Sequence, residues 1–398
     1  MSHARLPPTL DMTTPRRRVA GPVVAAALLV IVASLILRGR QDDTDIAAAA
    51  PTTAESRSFV QPAAPPRVLP EAELLAALTT ACAVAESDAA EQELTQDEEE
   101  DAFNKLKASL SARLSVSSSA EHLLLIAMLE DDPVSSAALL ERAISRSPSD
   151  PFLIWHAVRI CSEAGESAPC PLRTWEQLLI AVDGENSESW IRIAANRYAE
   201  RDYEPALDAL RRAAAAAESR DYWTESVEVI ERSLAAGSDY AFPERAGMAF
   251  GLAAAGLPRY GDYVKMCRAQ SARSVDWAHA CLAYGERLAN RGKTDMNQSI
   301  ARTMQRLALE AMGEAEKAAA VEQKYLARGQ ENSAYFKNDY ETVERLTISS
   351  PTLFSAYLAK VRSEGETAAR QYMSAEVKRL LEVQPELACE QTEGTLPK

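Results

Sequence analysis

The chain has 398 residues, of which 47 % are hydrophobic and 25 % charged, enough apolar material to bury a core over most of its length. Its formal net charge is −15; residues 1–40 carry six arginines (Arg5, Arg16, Arg17, Arg18, Arg38, Arg40) against Asp11, so that stretch is +5 and the remainder −20. So acidic a remainder repels phosphate backbones, and nucleic acid is not an expected partner.

In chain order, residues 1–18 form a short basic tail. Val19 to Leu37, VAGPVVAAALLVIVASLIL, is 19 residues without a charge. As a helix it would be about 28 Å long, enough to cross a bilayer core. Arg16–Arg18 precede it and Arg38 and Arg40 follow, and the larger basic count on the N-terminal flank predicts a cytoplasmic N-terminus. The expectation is therefore a single-pass inner-membrane anchor, with the C-terminal domain periplasmic or extracellular. A cleaved signal peptide is the alternative. It would need small residues just after the apolar run, where the sequence instead reads Arg-Gly-Arg-Gln-Asp-Asp. Residues 38–69 are rich in Ala, Pro, Thr and Ser beyond the two arginines and read as a disordered linker.

From residue 70 to about 390, apolar residues recur at helical spacing, and no segment alternates as a hairpin of strands would. Helices are predicted near 70–88, 98–115, 119–131, 133–146, 151–163, 171–183, 188–200, 203–217, 221–236, 241–255, 259–270, 274–291, 294–312, 314–328, 336–347, 351–364 and 366–384. Ile300, Met304, Leu307, Ala308, Ala311 and Met312 form one predicted stripe, with Gly292 before it and Gly313 after. Pro133, Pro151, Pro171 and Pro351 each fit a first turn. Consecutive short helices of this kind suggest an all-α stack of helical hairpins.

The clearest unit is Ser189–Ala213, SWIRIAANRYAERDYEPALDALRRA. Trp190, Ile193 and Ala194 stand on its first helix, with Tyr203, Ala206, Leu210 and Ala213 on its second. In this it resembles the tetratricopeptide-repeat family, with Arg201 where the family usually has glycine and Tyr198 one place late for its aromatic. Leu123, Leu140, Ala143, Pro148, Leu178 and Ala181 continue the pattern upstream. The resemblance implies a superhelix that binds proteins or peptides, with Ile191, Ala195 and Tyr198 facing a partner groove. A membrane-anchored version of such a protein assists envelope assembly, secretion or protein maturation.

Six cysteines in an extracytoplasmic domain suggest disulfides. Cys161 and Cys170 straddle the turn SEAGESAP, and Cys267 and Cys281 are centred on Ser274. Each pair is placed to bridge neighbouring helices, although free thiols packed in a helical core remain the alternative. Cys82 and Cys389 are left to join the two ends of the array. None forms a CxxC motif, and redox catalysis, structural zinc and covalent haem lack support.

His3, His122, His156 and His279 are isolated in the sequence, and no zinc-protease, phosphate-loop or serine-elbow motif occurs. The acidic run Asp97–Asp101 suits a helix start, and the five tryptophans suit a core. No catalytic residue, cofactor or metal is expected from the sequence. The alternatives to a binding scaffold are an envelope enzyme, such as a peptidoglycan lyase on an α-superhelix, and a purely structural spacer.

Overall fold

A computed structural model describes residues 96–117, 119–165, 170–336 and 340–383, together with Ala76. The apolar run at 19–37, the linker, the helix expected near 70–88, Cys82 and Cys389 lie outside the described residues. Among the described residues there are sixteen helices and no strand, and no helix long and apolar enough to cross a membrane.

The first helices are α1 (Gln96–Leu114), α2 (Ala120–Leu129), α3 (Pro133–Arg146), α4 (Pro151–Ala164) and α5 (Leu172–Asp183). Their starts follow from local chemistry. Proline opens α3 and α4, and the aspartate before it caps the exposed amides. Asp132 accepts from Ser135 N at 2.9 Å and Asp150 from Phe152 N at 3.0 Å. Next come α6 (Ser187–Ala199), α7 (Tyr203–Ala215), α8 (Trp223–Gly237), α9 (Phe242–Ala255) and α10 (Tyr260–Ser271). Between α6 and α7, Arg201 adopts φ 62°, the left-handed conformation that glycine supplies in the resembled repeat. The last are α11 (Val275–Arg291), α12 (Asp295–Ala311), α13 (Ala315–Phe336), α14 (Tyr340–Ser349), α15 (Pro351–Glu364) and α16 (Glu366–Val383).

Chain neighbours pack as hairpins: α2 on α3, α4 on α5, α6 on α7, α8 on α9, α11 on α12 and α15 on α16. Small residues permit the closest approach. A Cβ on Gly285 of α11 would lie 3.1 Å from Ala301 O of α12. The packing also departs from a simple stack. Helix α8 touches α1, α2 and α15 as well as α9, α9 touches α14, and α7 touches α11. Accordingly, one core cluster gathers Leu110 and Leu125, then Val227, Leu234 and Leu252, then Leu353, Phe354 and Leu358. A second core centres on Ile191, Leu210, Tyr263, Trp277 and Met304, and a third on Leu153, Trp155, Val158 and Leu179.

Three details differ from the sequence reading. The helix expected to end at 328 runs on to Phe336. It passes through Gly329, a residue that costs only about 1 kcal/mol inside a helix. On α12 the buried residues are Asn297, Ala301, Met304, Ala308 and Leu309: Met304 and Ala308 are buried as expected, whereas Ile300, Leu307 and Met312 are half-buried and Ala311 is exposed. On α7, Tyr203 is 42 % exposed, whereas Ala206, Leu210 and Ala213, placed beside it on the second helix of the repeat, are buried.

Candidate functional site

Where the closing helices meet, a cleft of about 250 Å³ opens to solvent. Helix α8 contributes Trp223, α9 Phe250, Gly251 and Ala254, and α14 Val343, Glu344 and Thr347. Tyr357 of α15 and Glu366 and Arg370 of α16 complete it. The three rings form connected walls: Trp223 and Phe250 centroids are 5.7 Å apart, Phe250 and Tyr357 6.2 Å. Trp223 is set at its helix start by Asp221, whose Oδ1 accepts from Trp223 N at 3.1 Å.

The polar end of the cleft is a latch between two helix starts. Asp295 N at the head of α12 donates to Glu366 Oε2 at 2.8 Å. Arg370 reaches Asp295 Oδ2 at 2.5 Å and also pairs with Glu366. Thr367 Oγ1 donates to Asp295 Oδ1 at 3.1 Å. Burial raises the pKa of the Glu366 carboxyl, Arg370 opposes this, and the nearby Asp295 and Asp221 charges reinforce it. A second recess of about 300 Å³ lies between α1 and α2. It has no aromatic wall among its lining residues, and Lys107 on its edge is engaged by Asp131.

Behind the cleft lies a buried polar hub. Asn186, before α6, donates to Asp183 Oδ2 at 2.8 Å and to Arg220 O at 3.0 Å, and accepts from Arg220 N at 2.8 Å. It therefore pins the 216–222 connection to the start of α6. Glu188, 1 % exposed, accepts a 2.9 Å hydrogen bond from Tyr284 Oη. Burial, then the Asp221 charge, push its pKa up to about 8 against the pull of Tyr284 and Arg192. His156 is also sealed in the core: its Nε2 lies 2.9 Å from Ser226 Oγ, and burial drives its pKa well down. Glu188 and His156 are walled off from the cleft and serve the packing around them.

The sequence-derived site residues separate. Cys161 pairs with Cys170 and Cys267 with Cys281, at Cα–Cα distances of 5.9 and 5.8 Å. Ile191 is 0 % exposed in the second core, so it cannot face a groove. The register of α6 turns that residue into the second core, which Tyr263 and Trp277 share. Ala195 and Tyr198 are half-buried against the same core, Tyr198 lying 5.8 Å from Tyr203 and 6.5 Å from Trp277. Sequence reasoning missed the cleft, whose walls come from two separate stretches of the chain, 223–254 and 343–370. Trp223 was the one visible signal, and an isolated tryptophan on a helix reads first as core.

Comparison with known proteins decides nothing further. No family model, no curated protein and no solved structure matches the chain.

Proposed function

We propose that this chain is a membrane-anchored, extracytoplasmic scaffold whose tetratricopeptide-like helical domain holds a segment of a partner protein in the cleft at Trp223, Phe250 and Tyr357. The observation that carries this reading is the cleft itself. Its volume of about 250 Å³ is below the ~300–1,000 Å³ of typical small-molecule sites. It is the size for one or two side chains, and aromatic walls are the usual anchors of protein recognition. Two paired disulfides favour an oxidising compartment, in agreement with the orientation expected from the arginines beside residues 19–37.

The test is site-specific photocrosslinking in native membranes. A photoreactive residue at Glu344, on the cleft rim, is expected to give a discrete adduct. The same residue at Arg268 on α10, away from the cleft, is expected to give none. Absence of an adduct at Glu344, or equal adducts at both positions, overturns the assignment of partner binding to this cleft. Reporter fusions after residue 18 and after residue 398 check the orientation, with activity of a periplasm-dependent reporter expected only at the second.

A further inference from the structure

We propose that Arg192 anchors a buried site for one small monovalent anion of chloride size, held where α4, α6 and α10 meet. The site is separate from the partner cleft and does not depend on it.

Arg192 is 4 % exposed, yet its guanidinium makes no hydrogen bond or ion pair among the described residues, and its Nε and Nη2 are sealed without a partner. The Trp155 ring of α4 lies 4.5 Å from its central carbon. A ring covers the face of a guanidinium, whereas the N–H bonds point outward in its plane, so the ring leaves them unsatisfied. A guanidinium does not shed its proton in a protein, and a buried charge without a counter-charge is strongly destabilising.

The carboxylates of this region do not supply that counter-charge. Glu163 is taken by Arg159 at 3.0 Å and by Arg259 at 3.6 Å. Asp221 is held by Trp223 N and Thr294 Oγ1. Glu188 lies one turn before Arg192 on α6 without pairing to it, and burial, then the Asp221 charge, keep it protonated at neutral pH.

Three more buried atoms without a partner can donate: Tyr263 Oη, Arg159 Nε and, as the neutral carboxyl, Glu188 Oε2. Beyond the larger effect of burial, the Arg192 charge acts on all three groups, which places them close around it. A water molecule accepts from two such donors but brings no charge. A halide accepts from several and neutralises the guanidinium. Trp155, Arg159, Glu188, Arg192 and Tyr263 are each at most 6 % exposed, so the surroundings suit a single small ion rather than a phosphate or a partner's carboxylate.

The experiment uses the purified full-length chain, with sodium chloride replacing sodium gluconate at constant ionic strength. Gluconate is too large for the site. The thermal midpoint is expected to rise with chloride and then level off, as binding to the folded state requires. Tyr263→Phe removes a donor that has no partner in the fold. It should raise the half-saturating chloride concentration at least about tenfold, the effect of losing one hydrogen bond to a charged group. Arg192→Gln should abolish the chloride response. Wild-type crystals soaked in sodium bromide should show an anomalous peak within hydrogen-bond distance of Arg192 Nε and Nη2. Equal midpoints in chloride and gluconate overturn the proposal. So does a chloride response that is unchanged in Tyr263→Phe, or a bromide crystal with only water beside Arg192. Should Arg192→Gln fail to fold, Tyr263→Phe and the bromide crystal decide.

Discussion

Glu188 is the residue at which burial and charge are most directly opposed. Its Oε1 accepts from Tyr284 Oη, while its Oε2 has no hydrogen-bond partner among the described residues. An ionised oxygen left in that state is costly, so the fold favours the neutral carboxyl. The folded chain keeps the proton up to about pH 8, while the unfolded chain releases it near the ordinary value of 4.5. Between those values the folded state binds more protons, so stability falls as pH rises. The contribution is complete below pH 4.5 and gone above about pH 8. At ~1.4 kcal/mol per pH unit of separation it is on the order of a few kcal/mol. Burial shifts Asp221 and Glu366 in the same direction. Thermal midpoints should therefore rise from pH 8.5 to pH 5. Glu188→Gln, which keeps an acceptor for Tyr284 but cannot ionise, should match the wild type near pH 5 and exceed it at pH 8.5. Parallel pH profiles for the two proteins would rule out Glu188 as the source.

At the scale of the helices, the two disulfides close comparable loops, with sequence separations of 9 and 14, but in different surroundings. Cys267 and Cys281 have no solvent exposure inside the second core, whereas Cys170 is half-buried at the start of a hairpin arm. Thiol reagents need access to sulfur. Mild reductant under native conditions, followed by alkylation and mass spectrometry, should therefore label Cys161 and Cys170 first. Cys267 and Cys281 should label only with denaturant present. Equal labelling rates would mean that α10 and α11 part locally as readily as α4 and α5. Replacing either pair by serine should remove about 3 kcal/mol of stability. These pairings were legible in the sequence because a hairpin's symmetry about its turn is a local property. So were the helix starts at Pro133, Pro151 and Pro351, each one turn of chemistry. The facing of α6 and α12 was less legible. On α6 apolar residues crowd together at Trp190, Ile191, Ile193 and Ala194, and its buried side is chosen by packing on α10, which comes later in the chain.

Across the whole molecule, what the sequence concealed is closure. In a linear solenoid each unit touches only its neighbours, and stability is close to a sum of local terms. Here α8 binds α1, α2 and α15, so one core draws on the beginning, middle and end of the described chain. Phe354 is the sharpest probe of that closure. It is 5 % exposed, with its ring 5.6 Å from Phe242 and 5.4 Å from Phe250. Phe354→Ala should cost about 3–5 kcal/mol. The diagnostic quantity is where that loss is felt. In a nearest-neighbour stack, amide hydrogen exchange would quicken in α14 to α16 and fade from there. In the closed arrangement it should quicken as much in α8 and α1, whose Val227 and Leu110 share the core. Normal exchange in α1 and α8 would return the molecule to the linear description. The same closure brings Trp223 and Phe250 to Tyr357 and Glu366, so the cleft exists only when the core is assembled. Any occupant of the cleft must then stabilise the whole domain by mass action, about 2.7 kcal/mol at a hundred times its Kd. Phe354→Ala should weaken that occupant by loosening its walls, although the side chain lines no part of the cleft.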